Sequence, residues 1–247
     1  MSKDWLERYS RQILLAEIDF SGQEAIGRSS VAIIGCGGLG SMIGLYLAGA
    51  GVGAITLIDD DVVDISNLHR QLAYREADIG VPKSEALALQ LQSLNQDTVM
   101  SVETYRFGSE LERDVACLRG VDVVLDATDN LETRHQIETV TRDMGLPWIM
   151  GAATRFHGQV AAFSRSRDEG CYQCIAPVAD AKPVADCRNE GVLGPVVGVI
   201  AAWQAQDALV FLSGTVSPAW GVLRVYDALD QRIEKLGIAS MEGCSHR

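Results

Sequence analysis

A short glycine-rich stretch is the first feature whose residue types and spacing suggest chemistry. The apolar residues Val31 to Ile34 run directly into Gly35, Gly37 and Gly40, which match the spacing G-x-G-x-x-G. Glycine permits a tight turn and a close approach of backbone N–H groups to an anion, and a helix that follows adds the positive end of its dipole. The stretch therefore predicts a phosphate-binding turn, although many dinucleotide-binding dehydrogenases carry the same spacing.

A run of carboxylates follows the next apolar segment. Residues 54–58 predict a strand, and Asp59, Asp60 and Asp61 come directly after it. In a sheet that binds a dinucleotide, a carboxylate about 20 residues beyond the glycines contacts the ribose hydroxyls. We therefore expect Asp59 to bind ribose, whereas a solvated acidic turn explains Asp60 and Asp61 at least as well.

Two cations and a further carboxylate are placed to join the glycine turn. Arg70 and Lys83 follow the second strand, and Asp129 follows the apolar strand at 121–126. Taken singly, each cation is explained as a surface charge, but the carboxyl ends of parallel strands meet in one crevice. Cations there offset phosphate charge, and a carboxylate is a magnesium ligand. The combination predicts a nucleoside triphosphate with Mg²⁺ rather than a hydride carrier.

The elements that position these residues alternate between strand and helix. We predict helices at about 5–15, 39–51, 82–95, 130–144 and 195–212, and strands at about 31–34, 54–58, 99–104, 121–126, 147–150 and 158–163. The apolar residues of the last helix lie on one stripe, which favours a core helix. The expected fold class is α/β, a doubly wound, Rossmann-like and mostly parallel sheet that becomes mixed towards its end, with helices on both faces.

Composition limits the functional classes. The 247 residues are 47% hydrophobic, which suits one large domain with a buried core. A formal net charge of −12 argues against nucleic acid or an anionic membrane as a partner. The charged N-terminus is unlike a signal peptide and no uninterrupted apolar run reaches transmembrane length, so we expect a cytoplasmic location.

Six cysteines in a reducing compartment favour metal or thiol chemistry over a disulfide framework. Cys171 and Cys174, spaced Cys-x-x-Cys, are half of a tetrahedral zinc site, or else ordinary reduced thiols. Cys187 stands beside Arg188, whose charge favours the thiolate, so a reactive thiol is a hypothesis there. We interpret Cys36 as a small residue that fills the glycine turn.

The ordered motifs of the chain together resemble the ubiquitin-activating-enzyme-like adenylyltransferases of the ThiF/MoeB/HesA family, over almost the whole length. The motifs are Arg8 to Gln12, Gly35 to Gly40, Asp59, Ser66 to Gln71, Pro82 to Ser84, Thr128 to Asn130, Cys171 with Cys174, and Gly191 to Pro195. The resemblance implies ATP-dependent adenylation of the C-terminal glycine of a ubiquitin-like sulfur-carrier protein, with release of pyrophosphate. It also implies one adenylyltransferase domain over 1–247, with a nucleotide-binding core at about 28–150 and a carrier-binding, zinc-associated portion at about 151–247.

The resemblance also implies roles for particular residues. Gly38 is similar to an ATP-contacting glycine and Asp59 to the ribose contact, and Asp129 matches the aspartate linked to magnesium. The remaining positions that match the nucleotide site are Asn67, Arg70, Gln71, Lys83 and Asn130. Arg11 is similar to an arginine that reaches into the partner subunit's site, which implies a functional homodimer.

The zinc ligands depart from the family's pattern at one position. Cys244 matches the third ligand, but Arg247 occupies the place of the fourth cysteine. Arginine stays protonated and cannot bind zinc, so His246 is the nearest substitute. In thiamin-pathway members of the family, a cysteine at the position that matches Cys187 can form an acyl disulfide with the carrier.

Several alternatives remain open from the sequence. The glycine turn alone is also compatible with a nicotinamide-dependent oxidoreductase, and a decayed nucleotide-binding module is a third interpretation. Thiamin and molybdopterin pathways both use carriers with a Gly-Gly end, and segments such as Asp186 to Pro195 favour the thiamin branch. A sulfurtransferase or a cysteine desulfurase is the implied sulfur donor.

Overall fold

The computed structural model describes residues 3–164, 170–177, 191–241 and 244. The helices of these residues are α1 (Lys3–Ile13), α2 (Asp19–Arg28), α3 (Gly38–Ala50), α4 (Lys83–Leu94), α5 (Leu111–Cys117), α6 (Leu131–Met144) and α7 (Gly194–Ser213). The strands are β1 (Ser30–Ile34), β2 (Ala54–Ile58), β3 (Val99–Glu103), β4 (Val123–Asp126), β5 (Trp148–Thr154), β6 (His157–Phe163), β7 (Val222–Asp227) and β8 (Arg232–Gly237).

All of these strands belong to one sheet in the order β3-β2-β1-β4-β5-β6-β7-β8. Neighbours from β3 to β5 are parallel, and neighbours from β5 to β8 are antiparallel. Strands β2 and β4 lie on opposite sides of β1, so the chain changes direction across the sheet at β1. Ligands of doubly wound sheets bind at the carboxyl ends of the strands beside such a switch point.

Alternate residues of β1 enter two different hydrophobic cores. Val31 and Ile33 belong to the core beneath α3, α4 and α7, whereas Ala32 and Ile34 belong to the core beneath α5 and α6. All four are at most 2% exposed. Successive strand residues point to opposite faces, so a strand buried on both faces reads as a continuous apolar run. The expected mixed sheet with helices on both faces is confirmed.

Sequence patterns located most of the elements and missed four. Helices α2 and α5 and the hairpin of β7 and β8 were not predicted. Helix α2 contains two glycines, α5 has only 7 residues, and β8 is exposed along its length and rich in charge, so none shows a strong periodic signal. Strand β5 runs beyond the predicted end because residues 151–154 pair with β6. That extension is determined by the antiparallel neighbour, since Gly and Ala have low strand propensity.

Among the described residues, α7 is long and apolar enough to span a membrane by length and composition. Over half of it, 56%, is buried within the fold. Its apolar stripe, represented by Val197, Ile200 and Leu212, packs in the core shared with α3. The interpretation of this segment as a core helix is confirmed.

Candidate functional site

The glycine turn lies where β1 leaves the sheet. Gly35 adopts φ +91°, and a Cβ built on it would lie 2.7 Å from the carbonyl oxygen of Ala127. Gly37 occupies the N-cap position of α3, and Gly38 and Gly40 fall in its first turn. Within the described part of the chain, no side chain caps this helix end. The first backbone N–H groups of α3 are therefore available to an anion.

Asp59 joins the turn at the end of β2. Its Oδ2 accepts the backbone N–H of Cys36 at 2.5 Å, and its Oδ1 accepts that of Asp61 at 2.8 Å. Burial raises the pKa of the Asp59 carboxyl, while the nearby Lys83 ammonium acts in the opposite direction. Asp59 thus lies beside the glycine turn, where the sequence predicts a ribose contact, and it orders that turn through Cys36.

Lys83 begins α4 with its side chain 8% exposed, and its Nζ lies 2.8 Å from Oδ2 of Asp61. Tyr74 fastens this segment to the glycine turn, because its hydroxyl donates to the carbonyl oxygen of Cys36 at 2.5 Å and lies 3.2 Å from that of Lys83. Burial raises the pKa of Tyr74, so the phenol stays protonated and remains a donor. Sequence reasoning missed both Tyr74 and the pairing of Asp61 with Lys83.

The segment from Ser66 to Gln71 packs against the first turn of α3. A Cβ on Gly38 would lie 3.3 Å from the carbonyl oxygen of Arg70, and one on Gly37 would lie 3.5 Å from Nε2 of Gln71. The backbone carbonyl oxygen of Asn67 accepts the backbone N–H groups of Arg70 and Gln71, each at 3.0 Å. The sequence-predicted nucleotide residues of this segment are therefore brought to the glycine turn.

Arg70 and Gln71 carry polar groups that the described protein leaves available. The Arg70 guanidinium donates to the carbonyl oxygen of Ser66 at 3.0 Å and lies 2.8 Å from His69 Nε2. No carboxylate of the described residues pairs with it. Gln71 is 3% exposed, and within the described residues its Oε1 has no hydrogen-bond partner. A buried acceptor without a partner is costly, so a donor on a bound ligand is a natural complement.

Asp129 and Asn130 follow β4 at the same edge of the sheet. The side chain of Asp129 is exposed. Asn130 is the N-cap of α6, and its Oδ1 accepts the backbone N–H of Thr133 at 2.9 Å. Asn130 therefore has a structural task that explains its residue type. The loop that carries Asp129 begins beside the glycine turn, at the contact of Gly35 with Ala127, and Asn130 orders its other end.

A buried ion pair beneath this loop was missed from the sequence. Asp126 is fully buried, and its Oδ2 accepts Nε of Arg134 at 2.6 Å. Its Oδ1 accepts the backbone N–H and the hydroxyl of Thr128 at 2.9 and 2.6 Å. Gln204 of α7 donates to the carbonyl oxygen of Asp126 at 2.7 Å. An aspartate that ends an apolar strand was the available signal, because a buried carboxylate requires partners.

Arg11 is not brought to the crevice of its own chain. Arg11 is exposed on α1. The neighbouring Gln12 donates to the carbonyl oxygen of Ala50, at the C-terminal end of α3. Helix α3 has 13 residues, which at 1.5 Å per residue separates its two ends by roughly 18 Å. Arg11 and the glycine turn therefore lie at opposite edges of the sheet.

A cysteine cluster forms a separate centre. The Sγ atoms of Cys171, Cys174 and Cys244 are 3.6, 3.6 and 3.7 Å apart, and none of the three forms a disulfide with another. Sulfur ligands 2.3 Å from a tetrahedral zinc ion lie about 3.8 Å from one another, whereas a disulfide measures about 2.05 Å. These thiols thus have the spacing of three corners of a tetrahedral metal site.

The thiols of Cys171 and Cys174 have different electrostatic surroundings. Burial raises the pKa of Cys171, and the carboxylate of Glu138 raises it further. Burial also opposes ionisation of Cys174, but hydrogen bonds from the backbone N–H groups of Met241 and Cys171 make the net shift of its pKa a lowering. His246, Arg247 and Cys187 lie outside the described residues. Cys36 is buried in the glycine turn as expected.

Comparison with known proteins agrees with this geometry. The ThiF family model matches residues 9–246. The chain is 42% identical to the sulfur carrier protein ThiS adenylyltransferase of Escherichia coli K12, over 96% of this chain and 93% of that protein. It is 36% identical to the molybdopterin-synthase adenylyltransferase of Salmonella typhimurium LT2, over 99% and 97%.

The solved structure of E. coli MccB matches the fold with a TM-score of 0.83 at 23% identity, over 97% of this chain and 72% of that one. At this identity the match concerns the fold alone. The family match extends across the glycine turn, the acidic loops and the cysteine cluster. This chain belongs to the ThiF family.

Proposed function

We propose that this protein uses ATP to adenylate the C-terminal glycine of a ubiquitin-like sulfur-carrier protein and releases pyrophosphate. The observation that carries this proposal is the convergence of the glycine turn, Asp59, Arg70 and Lys83 at the carboxyl ends of β1 and β2. Membership of the ThiF family and the adenylyltransferase names of both relatives support the reaction class. The oxidoreductase alternative is not supported, because it gives these cations no task.

The chemistry requires positioning more than acid–base catalysis. The attacking carboxylate is already ionised at neutral pH, and its oxygen bonds to the α-phosphorus as the bond to pyrophosphate breaks. The site must hold the two reactants in line and stabilise the departing negative charge. Arg70 and Lys83 supply the positive charge that stabilises the departing pyrophosphate. The reaction needs no histidine as a base, and His69 of this segment contacts Arg70 instead.

Each residue at the crevice then has a place along the nucleotide. Asp59 accepts the ribose hydroxyls, and the N-terminal turn of α3 receives phosphate at its free N–H groups. The residues that complete the phosphate contacts are Gly35, Gly37, Gly38, Gly40, Asn67, Arg70, Gln71 and Lys83.

Asp129 holds magnesium in this proposal. It is exposed at the crevice edge and held on a loop that Asn130 and Asp126 order. A bound Mg²⁺ supplies charge neutralisation and alignment of the phosphates. Carboxylate oxygen is a ligand that this ion prefers.

Arg11 acts in the site of a second subunit. Its position at the far edge of the sheet in its own chain supports this role, because a side chain cannot span that separation. The active form is accordingly a homodimer in which each crevice is completed by the arginine of the partner.

The cysteine cluster binds structural zinc through Cys171, Cys174 and Cys244, with His246 as the proposed fourth ligand. The spacing of the three sulfur atoms supports this assignment. Cys187 is the proposed thiol for a covalent step in sulfur transfer. A thiamin-type carrier is the favoured substrate, with a sulfurtransferase or cysteine desulfurase as the sulfur donor.

Carrier-dependent exchange between ATP and labelled pyrophosphate tests the proposal. A panel of Gly-Gly-ended carriers from the thiamin and molybdopterin pathways is compared with the same carriers lacking the final glycine. We expect exchange with one intact carrier and its loss in Arg70→Ala. Arg75→Ala is the matched control, because the Arg75 guanidinium donates to the carbonyl oxygens of Leu72 and Tyr74, which are outside the proposed nucleotide contacts. Absence of exchange with every carrier, despite ATP binding, would contradict the proposal.

A further inference from the structure

The start of α6 lies between two centres that the sequence keeps far apart. One is the Asp129 loop, residues 127–130, and the other is the cysteine cluster of Cys171, Cys174 and Cys244. Arg134 and Glu138 are four residues apart on α6, so they lie on one face of the helix. Arg134 contacts the loop, and Glu138 contacts the segment that holds two of the cysteines.

On the loop side, Arg134 and Asp126 hold the residue that precedes Asp129. Nη2 of Arg134 donates to the carbonyl oxygen of Thr128 at 2.8 Å and to that of Gly151 at 3.1 Å. Asp126 accepts the backbone N–H of Thr128 at 2.9 Å. Both backbone polar groups of Thr128 are therefore held by one buried ion pair, so the direction of Asp129 depends on where Arg134 lies.

Tyr172 connects the cysteine cluster to α6, because it lies between Cys171 and Cys174 in the sequence and its ring packs near Arg134. It stands in the 3-10 turn Tyr172–Cys174, is 3% exposed, and its ring centroid lies 5.7 Å from Cζ of Arg134. The backbone N–H of Gln173 lies 3.3 Å from Oε1 of Glu138. The turn thus packs against the same face of α6 that holds the Asp129 loop.

We propose that metal binding at the cysteine cluster and Mg·ATP binding at the crevice are coupled through Tyr172 and Arg134, which act as positioning residues for Asp129. This inference rests on the proposed function of both centres. A cation bound by three sulfurs joins the Tyr172 turn to Cys244, which is 70 residues beyond Cys174. Without the cation the Tyr172 turn has fewer restraints, so the Tyr172 ring can shift. Arg134 then loses its contact with that ring.

Coupling of this kind is reciprocal. If zinc strengthens Mg·ATP binding about tenfold, Mg·ATP must strengthen zinc binding by the same factor. Because the connection enters the crevice at the proposed magnesium ligand, ATP in magnesium-free buffer should show a much smaller effect. A purely structural role of zinc would affect both forms of ATP equally.

Calorimetric titration of Mg·ATP into zinc-loaded and zinc-stripped protein tests the coupling. We expect the Kd for Mg·ATP to be about tenfold higher in the stripped form. Zinc affinity, measured by competition with a chromophoric chelator, should rise by the same factor when Mg·ATP is present. Tyr172→Leu should keep zinc but bind Mg·ATP equally weakly in both forms. Tyr105→Leu is the matched control, because Tyr105 is also buried, with Arg113 4.0 Å from its ring, and should retain the tenfold difference.

The outcomes separate this inference from the proposed function. Equal Kd values with and without zinc would overturn the coupling while leaving ATP binding intact. No ATP binding in either form would instead overturn the proposed function. If the stripped protein unfolds, zinc-loaded wild type and zinc-loaded Tyr172→Leu are compared, and equal affinities for Mg·ATP would overturn the coupling.

Discussion

The ammonium nitrogen of Lys83 lies 2.8 Å from Oδ2 of Asp61, and the lysine is buried while the aspartate is half exposed. A triphosphate that reaches Lys83 must therefore compete with Asp61. We expect Lys83→Ala to lower pyrophosphate exchange by about 100-fold or more, as removal of a preorganised charge does.

We expect Asp61→Asn to tighten ATP binding severalfold, because the phosphates no longer compete with the Asp61 carboxylate for Lys83.

Titration of ATP into both variants measures these effects. Asp60→Asn is the control for Asp61, since Asp60 is an exposed neighbour in the same turn. Weaker ATP binding in Asp61→Asn than in Asp60→Asn would contradict the competition between Asp61 and phosphate.

Gly38 lies at a close approach between α3 and its neighbours. A Cβ there would be 2.8 Å from Cγ1 of Val197 and 3.3 Å from the carbonyl oxygen of Arg70. We expect Gly38→Ala to push the Arg70 segment away from the turn and to weaken ATP binding at least about tenfold. In Gly49→Ala, on the same helix, the new Cβ meets its nearest neighbour at 3.8 Å. That control should be neutral or slightly stabilising, because alanine favours helix. Equal ATP affinity in the two variants would show that the approach at Gly38 is not needed.

Subunit mixing tests the placement of Arg11. We expect Arg11→Ala and Lys83→Ala proteins to be inactive separately and to recover about a quarter of wild-type exchange when mixed in equal amounts. This follows because half of the random dimers are mixed and each of these has one intact site. A mixture of Arg70→Ala with Lys83→Ala should stay inactive, since both residues belong to one crevice. Recovery in both mixtures, or in neither, would refute sharing of the site.

The raised pKa of Asp59 gives a testable pH dependence. The unfolded carboxyl ionises near its ordinary value of 3.8, whereas burial raises the pKa in the folded state. Protonated Asp59 therefore stabilises the folded state fully below pH 3.8. This stabilisation is lost as the pH rises through the raised pKa of the folded state. We expect the free energy of unfolding of wild type minus that of Asp59→Asn to fall with increasing pH and then level off. Urea unfolding from below pH 3.8 up to neutral pH measures it, and a difference that rises with pH would contradict the shift.

Metal analysis tests the cysteine cluster. We expect about one zinc per chain in protein purified without chelator, as a tetrahedral thiolate site binds it tightly. Cys244→Ser should lower the zinc content and the midpoint of thermal unfolding. Cys117→Ser is the control, because Cys117 hydrogen-bonds within α5 and belongs to no cluster of the described residues. Zinc-free wild-type protein would refute the site.

Much of the site was accessible from residue order. The glycine turn, the aspartate after β2 and the cations after it predicted a nucleotide crevice, because parallel strands bring their carboxyl ends to one edge. The prediction of a mixed sheet is confirmed by the antiparallel neighbours of β6. The hairpin of β7 and β8 escaped because an exposed edge strand needs no apolar alternation.

The sequence by itself determined the chemistry available along the chain: flexible backbone at Gly35, a carboxylate at Asp59, cations at Arg70 and Lys83, and thiols at Cys171 and Cys174. Only the tertiary structure decided the pairings, such as Lys83 with Asp61, Arg134 with Asp126, and Cys244 with the other two thiols. Local patterns depend on backbone geometry over a few residues. Pairings between distant residues depend on packing, which decides the charges that are buried together and must neutralise each other.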